Sequence, residues 1–114
     1  MDGSKVVYLD TSVVLRPLLG QGKALDWSRW HSAYSSELLG LEARRVLDRL
    51  RLESALDDHG LAEAFQELAR IEQHIGCVPL NRIVLRRAAL PMPTVVKTLD
   101  AIHLTSALML RESS

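Results

Sequence analysis

The chain has 114 residues, 47% of them hydrophobic and 25% charged, and its 14 basic side chains balance its 14 acidic ones. This composition is typical of one folded domain and excludes a disordered chain. No apolar run approaches the roughly 20 residues of a bilayer-spanning helix, so we expect no membrane segment. Zero net charge excludes a basic field over the whole protein, so nucleic acid would need a local patch. The single cysteine, Cys77, fits a reducing cytoplasm, and we expect it to be a small core residue.

The N-terminal part of the chain begins with a short apolar run, Val-Val-Tyr-Leu at residues 6–9. This run predicts a strand that is buried on both faces. A short helix follows, capped by Thr11 or Ser12. We expect another short helix within residues 21–30 and a short strand over residues 33–35.

The most regular helical pattern covers residues 37–52, directly after Ser36. Its apolar residues recur along one helix face, and they are Leu39, Ala43, Val46, Leu47 and Leu50. The sequence Asp-Asp-His-Gly at 57–60 interrupts the pattern, which resumes as a second helix over residues 61–75.

The C-terminal part predicts a strand over residues 77–80, a helix over 82–90 and a last helix over 98–110. The last helix is apolar nearly all round, which is typical of a helix buried between layers. Strands that alternate with helices favour a parallel sheet covered on both faces. We therefore predict one α/β domain over residues 1–114.

Three carboxylates lie where such a fold would place a binding site. Ligands of parallel sheets bind beyond the carboxyl ends of the strands, where loops lead into helices. Asp10 and Asp100 occupy positions of that kind, and Glu42 lies within a helix among apolar neighbours. Each acid also has a structural interpretation. Asp10 and Asp100 could cap helices, and Glu42 could pair with Arg45 or Arg49 on the surface.

Convergence of the three acids would favour a divalent cation. Clustered carboxylates repel one another, and Mg²⁺ or Mn²⁺ prefers oxygen ligands. Such a cation can activate water for attack on a phosphodiester. The four histidines and one cysteine show no zinc-ligand spacing, and no serine or cysteine triad can be assembled. His103 shares a helix face with Asp100, and we expect it to be a core residue or a support for the site.

Three stretches resemble the diagnostic blocks of the PIN-domain nucleases, and of the VapC toxins among them. They are VYLDTSVVL, SSELLGLEARRVLDRL and TLDAIHLTSALML, in the order found in the family. The resemblance implies a PIN-like three-layer α/β/α fold with a short parallel central sheet. By position it implies that Asp10, Glu42 and Asp100 bind Mg²⁺ or Mn²⁺ and carry catalysis. It also implies that Ser12 supports the site.

The function implied by the resemblance is that of a metal-dependent endoribonuclease toxin that cleaves a structured RNA. Its implied partners are a VapB-type antitoxin, and a second copy in a homodimer or a toxin–antitoxin hetero-oligomer. From the residues themselves, Arg45 and Arg49 belong to arginine clusters that could hold RNA phosphates. Alternatively, the clusters form a solvated helix face in which Arg44 pairs with Asp48.

One departure from the family pattern concerns the C-terminus. The family continues past the Leu-Asp-Ala-Ile-His helix into a strand with a fourth acid, which this chain lacks, so we expect a truncated domain with an open sheet edge. A catalytically impaired module that binds an antitoxin or RNA is therefore the alternative function. A phosphatase of the haloacid-dehalogenase type would need a second acid where Ser12 stands.

Overall fold

The computed structural model describes residues 5–113, and within them three strands and five α-helices follow one another along the chain. The strands are β1 (Val6–Tyr8), β2 (Ser32–Ser36) and β3 (Ile75–Val78). The helices are α1 (Thr11–Leu18), α2 (Leu39–Leu52), α3 (Asp58–Glu72), α4 (Arg82–Ala88) and α5 (Thr98–Ser113). A single 3₁₀ turn covers Trp27–Arg29.

The three strands form one parallel sheet in the order β1-β2-β3. Tyr8 lies opposite Tyr34 in the first pair, and Ser35 lies opposite Cys77 in the second. Helices connect successive strands, as parallel pairing requires. The α/β class and the parallel sheet are thus confirmed, and the arrangement is consistent with three layers.

Side-chain caps fix where three of the helices begin. Asp10, Asp57 and Asn81 each accept a hydrogen bond from a backbone N–H in the first turn of the next helix. Such caps satisfy N–H groups that have no partner inside the helix. Helix α1 is followed by Gly20 at a φ of 70°, which a residue without a Cβ adopts readily.

The core lies where α1, α2 and α3 meet the sheet. Its fully or nearly fully buried members come from five elements or their ends and are Leu9, Val14, Ala33, Leu39, Ala43, Leu68 and Ile71. Trp27 and Trp30 pack against this cluster while partly exposed. Leu39, Ala43 and Leu47 are the buried residues of α2, so the predicted apolar stripe of that helix is confirmed in its centre.

The prediction of a fully buried first strand is wrong. Val6 is 43% exposed, and Val7 and Tyr8 are only half-buried. The reason is that β1 lies at one edge of the sheet within the described residues, next to β2 alone. Cys77 is likewise exposed on β3 at the other edge, so its assignment to the core is wrong.

Three helix predictions also need correction. The helix expected within residues 21–30 is only the short turn that Asp26 caps. Helix α3 begins at Asp58 because Asp57 caps it, so the 57–60 segment contributes its start. Within α5, Leu104 is 43% exposed, whereas the polar side chains His103, Thr105 and Ser106 are buried. The buried face of α5 is therefore partly polar.

No helix within residues 5–113 combines the length and apolar character that crossing a membrane requires.

Candidate functional site

A pocket of about 380 Å³ opens beside the carboxyl end of β1, among the first turns of α1, α2 and α5. Its lining includes all three of the predicted acids, Asp10, Glu42 and Asp100. The remaining lining residues are polar except for two apolar residues of α5, and they are Tyr8, Thr11, Ser12, His103, Leu104 and Ala107. Chain segments about 90 residues apart in sequence thus contribute to one pocket.

Asp10 is the cap of α1 and a wall of the pocket at the same time. Its Oδ1 accepts hydrogen bonds from the Val13 backbone N–H at 3.1 Å and from the Ser12 hydroxyl at 2.7 Å. The interpretation of Asp10 as a helix cap is therefore confirmed, and the predicted capping by Thr11 or Ser12 is wrong. Ser12 contacts the first acid, and its support of the site stays a prediction. The other carboxylate oxygen accepts no hydrogen bond from residues 5–113 and remains available to a ligand.

Glu42 is held by side chains from two other helices rather than by a surface arginine. Its Oε1 accepts a hydrogen bond from the Thr11 hydroxyl at 2.8 Å and lies 2.6 Å from His103 Nε2. The expected surface pairing of Glu42 with Arg45 or Arg49 is absent among the described residues. Because Glu42 lies in the first turn of α2, its negative charge is also stabilised by the helix dipole.

Asp100 lies in the first turn of α5 and is exposed. Its carboxylate makes no hydrogen bond or ion pair with any other residue of the described range. It therefore meets the other two acids at the pocket without a fixed orientation.

Tyr8 was missed by the sequence prediction although it belongs to the same network. Its hydroxyl lies 2.6 Å from His103 Nδ1, and the two rings meet edge to face. Burial raises the pKa of the Tyr8 hydroxyl to about 12, and the hydroxyls of Ser106 and Ser35 oppose that shift. A signal was available in the sequence, because Tyr8 and Asp10 are two residues apart and leave an extended chain on the same side.

The donor types fit a hard divalent cation, since the pocket offers three carboxylates and hydroxyl oxygens. Residues 5–113 nevertheless contain no cluster of three or more His, Cys, Asp or Glu side chains that is already arranged to hold an ion. Asp100 is exposed and has no partner within residues 5–113, so its side chain can rotate toward Glu42, whereas Asp10 offers the carboxylate oxygen that Val13 and Ser12 leave free. Shared coordination of one ion would require that reorientation.

The predicted RNA-binding arginines lie outside this pocket. Arg45 and Arg49 line a separate shallow depression along α2, together with Val46 and Leu52. Arg45 is paired loosely with Asp48 at 3.5 Å, and the pairing of Arg44 with Asp48 is wrong. Arg44 instead forms a two-pronged ion pair with Glu72 of α3.

No protein-family model matches the sequence, and no curated protein or solved structure matches it either. The PIN-domain resemblance therefore stays a prediction that depends on the three sequence blocks.

Proposed function

We propose that this chain is a metal-dependent endoribonuclease of the PIN type. The observation that carries the proposal is the meeting of Asp10, Glu42 and Asp100 at one pocket beyond the end of β1. These acids come from three distant sequence blocks, and a parallel sheet commonly binds its ligand at such a position.

The three acids would have different roles as metal ligands, because their side chains are restrained to different degrees. Glu42 would supply a fixed oxygen, because Thr11 and His103 restrain its carboxylate. Asp10 would supply its free oxygen while Ser12 holds the other one. Asp100 would adjust to the ligand, since nothing in residues 5–113 fixes its side chain.

Mg²⁺ or Mn²⁺, when bound, would supply positive charge for the phosphate and lower the pKa of water, which favours attack on phosphorus. The reaction adds water across the P–O bond, so one RNA product carries the phosphate and the other a hydroxyl. Leu104 and Ala107 would form an apolar wall beside the reacting groups.

The finer assignment is a VapC-type toxin that acts in the cytoplasm on a structured RNA and is restrained by a VapB-type antitoxin. A carboxylate pocket also attracts a guanidinium, which is always charged and can bind carboxylates in two-pronged fashion. We therefore propose that an antitoxin arginine would compete with the cation. A homodimer or toxin–antitoxin hetero-oligomer would cover the open edge of β1.

The deciding experiment is an RNA cleavage assay with Mn²⁺ or Mg²⁺, with EDTA as the control. Cleavage that depends on the cation supports the nuclease. The alternative function is a catalytically impaired module that binds RNA or an antitoxin. The unrestrained side chain of Asp100 favours that alternative, because only two of the three acids are held by other described residues. Binding of RNA without cleavage under both conditions would support it.

A further inference from the structure

A chain of hydrogen-bonding groups runs behind Glu42 and connects four elements of the fold. It passes from the Tyr8 hydroxyl on β1 to the His103 ring on α5 and then to the Glu42 carboxylate on α2. The Thr11 hydroxyl on α1 contacts both of the last two groups, at 2.8 Å from Glu42 Oε1 and 3.3 Å from His103 Nε2. A single histidine therefore lies between the strand and the acid.

The chemistry of these groups fixes the direction of the chain. An ionised carboxylate only accepts hydrogen bonds, so the His103 nitrogen beside Glu42, Nε2, must carry a proton. In a neutral imidazole the other nitrogen, Nδ1, then accepts, and the Tyr8 O–H is its donor. The structure therefore assigns the Nε2–H tautomer to a neutral His103.

Burial makes this chain a restraint rather than a surface contact. The side chain of His103 is 10% exposed and that of Glu42 is 16% exposed. A polar group that is removed from water is costly unless it is paired, so each member is held by its neighbour. Asp10 and Asp100, by contrast, are exposed at the same pocket.

We infer that His103, held by Tyr8, is a positioning residue that fixes the Glu42 carboxylate in the pocket before a cation arrives. This inference rests on the proposed function for its metal. It goes further by giving roles to Tyr8 and His103, which the proposed function does not use as metal ligands. Partners of metal-binding side chains commonly change metal affinity by about 10- to 100-fold when they are lost.

The test is the affinity for Mn²⁺, measured by calorimetry on purified variants. His103→Leu removes the donor at similar size, and we expect Mn²⁺ to bind about 10- to 100-fold more weakly. His103→Gln keeps an N–H near Glu42 and should recover part of that loss. Wild-type affinity in a folded His103→Leu variant would overturn the inference.

A smaller change covers the case in which His103→Leu fails to fold. Tyr8→Phe removes only the hydroxyl. We expect it to weaken Mn²⁺ binding several-fold, near the lower end of the range of about 10- to 100-fold given above. Tyr34→Phe is the matched control, because Tyr34 pairs with Tyr8 in the sheet but its hydroxyl makes no hydrogen bond to residues 5–113. Equal loss in both variants would indicate a general effect on the sheet and count against the inference.

Nitrogen NMR of the His103 ring separates a failed positioning role from a failed metal site. We expect a protonated Nε2 in the metal-free protein, and a change in the Nδ1 signal in Tyr8→Phe. A protonated Nδ1 with an unprotonated Nε2 would overturn the inference whether or not Mn²⁺ binds. No Mn²⁺ binding by the unsubstituted protein, with the expected ring state, would instead reject the proposed metal function.

Discussion

Glu42 and Asp100 line the same pocket, but their carboxylates differ in burial and in hydrogen bonding. Glu42 is largely buried and held by Thr11 and His103, whereas Asp100 is exposed and has no partner within residues 5–113. One side of the pocket is therefore preorganised and the other is adjustable. A site of this kind can keep Glu42 in place while Asp100 adapts to an ion or to a guanidinium.

The difference follows from the elements that carry the acids. Glu42 lies in the first turn of α2, beside the buried residues Leu39 and Ala43, so its helix face turns toward the core. Asp100 lies in the first turn of α5 beside the exposed Leu99. The side chains of Thr11 and His103 reach the Glu42 carboxylate, and none within residues 5–113 reaches that of Asp100, so these contacts decide which acid is fixed.

The largest expected effect is the loss of cleavage in Asp10→Asn and in Asp100→Asn. Each change removes one negative charge from the proposed cation site. We expect cleavage with Mn²⁺ to fall at least about 100-fold, because loss of a mere partner of a metal ligand already costs up to about 100-fold. Both side chains are exposed, and asparagine caps helices as well as aspartate does, so the fold should persist. Cleavage of end-labelled RNA and circular dichroism measure the two outcomes.

The matched control for these variants is Asp58→Asn, which changes an exposed acid in the first turn of α3, outside the pocket. We expect it to cleave as the unsubstituted protein does. Full cleavage by either pocket variant, or unfolding of either one, would contradict the assignment of the acids to a cation site.

An intermediate effect concerns stability and tests whether Glu42 is held as described. Glu42→Leu deprives the Thr11 hydroxyl and the His103 N–H of their acceptor. We expect the free energy of unfolding to fall by about 1–3 kcal/mol, the cost of leaving such groups unpaired. Asp100→Asn should change it by less than about 0.5 kcal/mol, as is usual for surface substitutions. Urea denaturation measures both.

Glu42→Gln is the control for the loss of charge, because its amide oxygen can still accept a hydrogen bond. We expect it to be more stable than Glu42→Leu. If Glu42→Leu and Asp100→Asn were equally stable, the two carboxylates would not differ in how they are held.

Much of the fold was predictable because the hydrophobic periodicity of the sequence agrees with the way the helices and strands pack. The apolar stripe of α2 and the alternation of strands with helices both correspond to elements in the structure. Burial was less predictable. The sequence of β1 does not indicate that this strand lies at the sheet edge, because the position depends on strand order. At that edge Val6 is 43% exposed.

The identity of the acids at the pocket was predictable from the sequence, but their hydrogen-bond partners were not. Asp10, Glu42 and Asp100 could be selected from sequence blocks, and they do line one pocket. Sequence spacing could not pair His103 with Glu42, because the two side chains are 61 residues apart and meet only after folding. For the same reason, the partner of Arg44 proved to be Glu72 on the neighbouring helix rather than Asp48.

The smallest expected effect concerns the arginine surface of α2. We expect Arg45→Gln and Arg49→Gln each to weaken RNA binding several-fold. Each should lower the salt dependence by about one unit of slope, because one phosphate contact releases about one counterion. Both side chains are exposed, and the one contact of Arg45 with Asp48 is long at 3.5 Å, so the fold should be unchanged. Fluorescence anisotropy in EDTA measures binding without cleavage.

Arg70→Gln is the matched control, since Arg70 lies on α3 and is paired with Glu67 at 2.8 Å. It removes the same charge from a different helix, so it should leave the RNA affinity and its slope unchanged. If Arg45→Gln and Arg49→Gln altered thermal stability but not RNA affinity, the arginines would belong to a solvated helix face. Arg82 and Arg86, which are exposed on α4, would then be the next candidates for phosphate contacts.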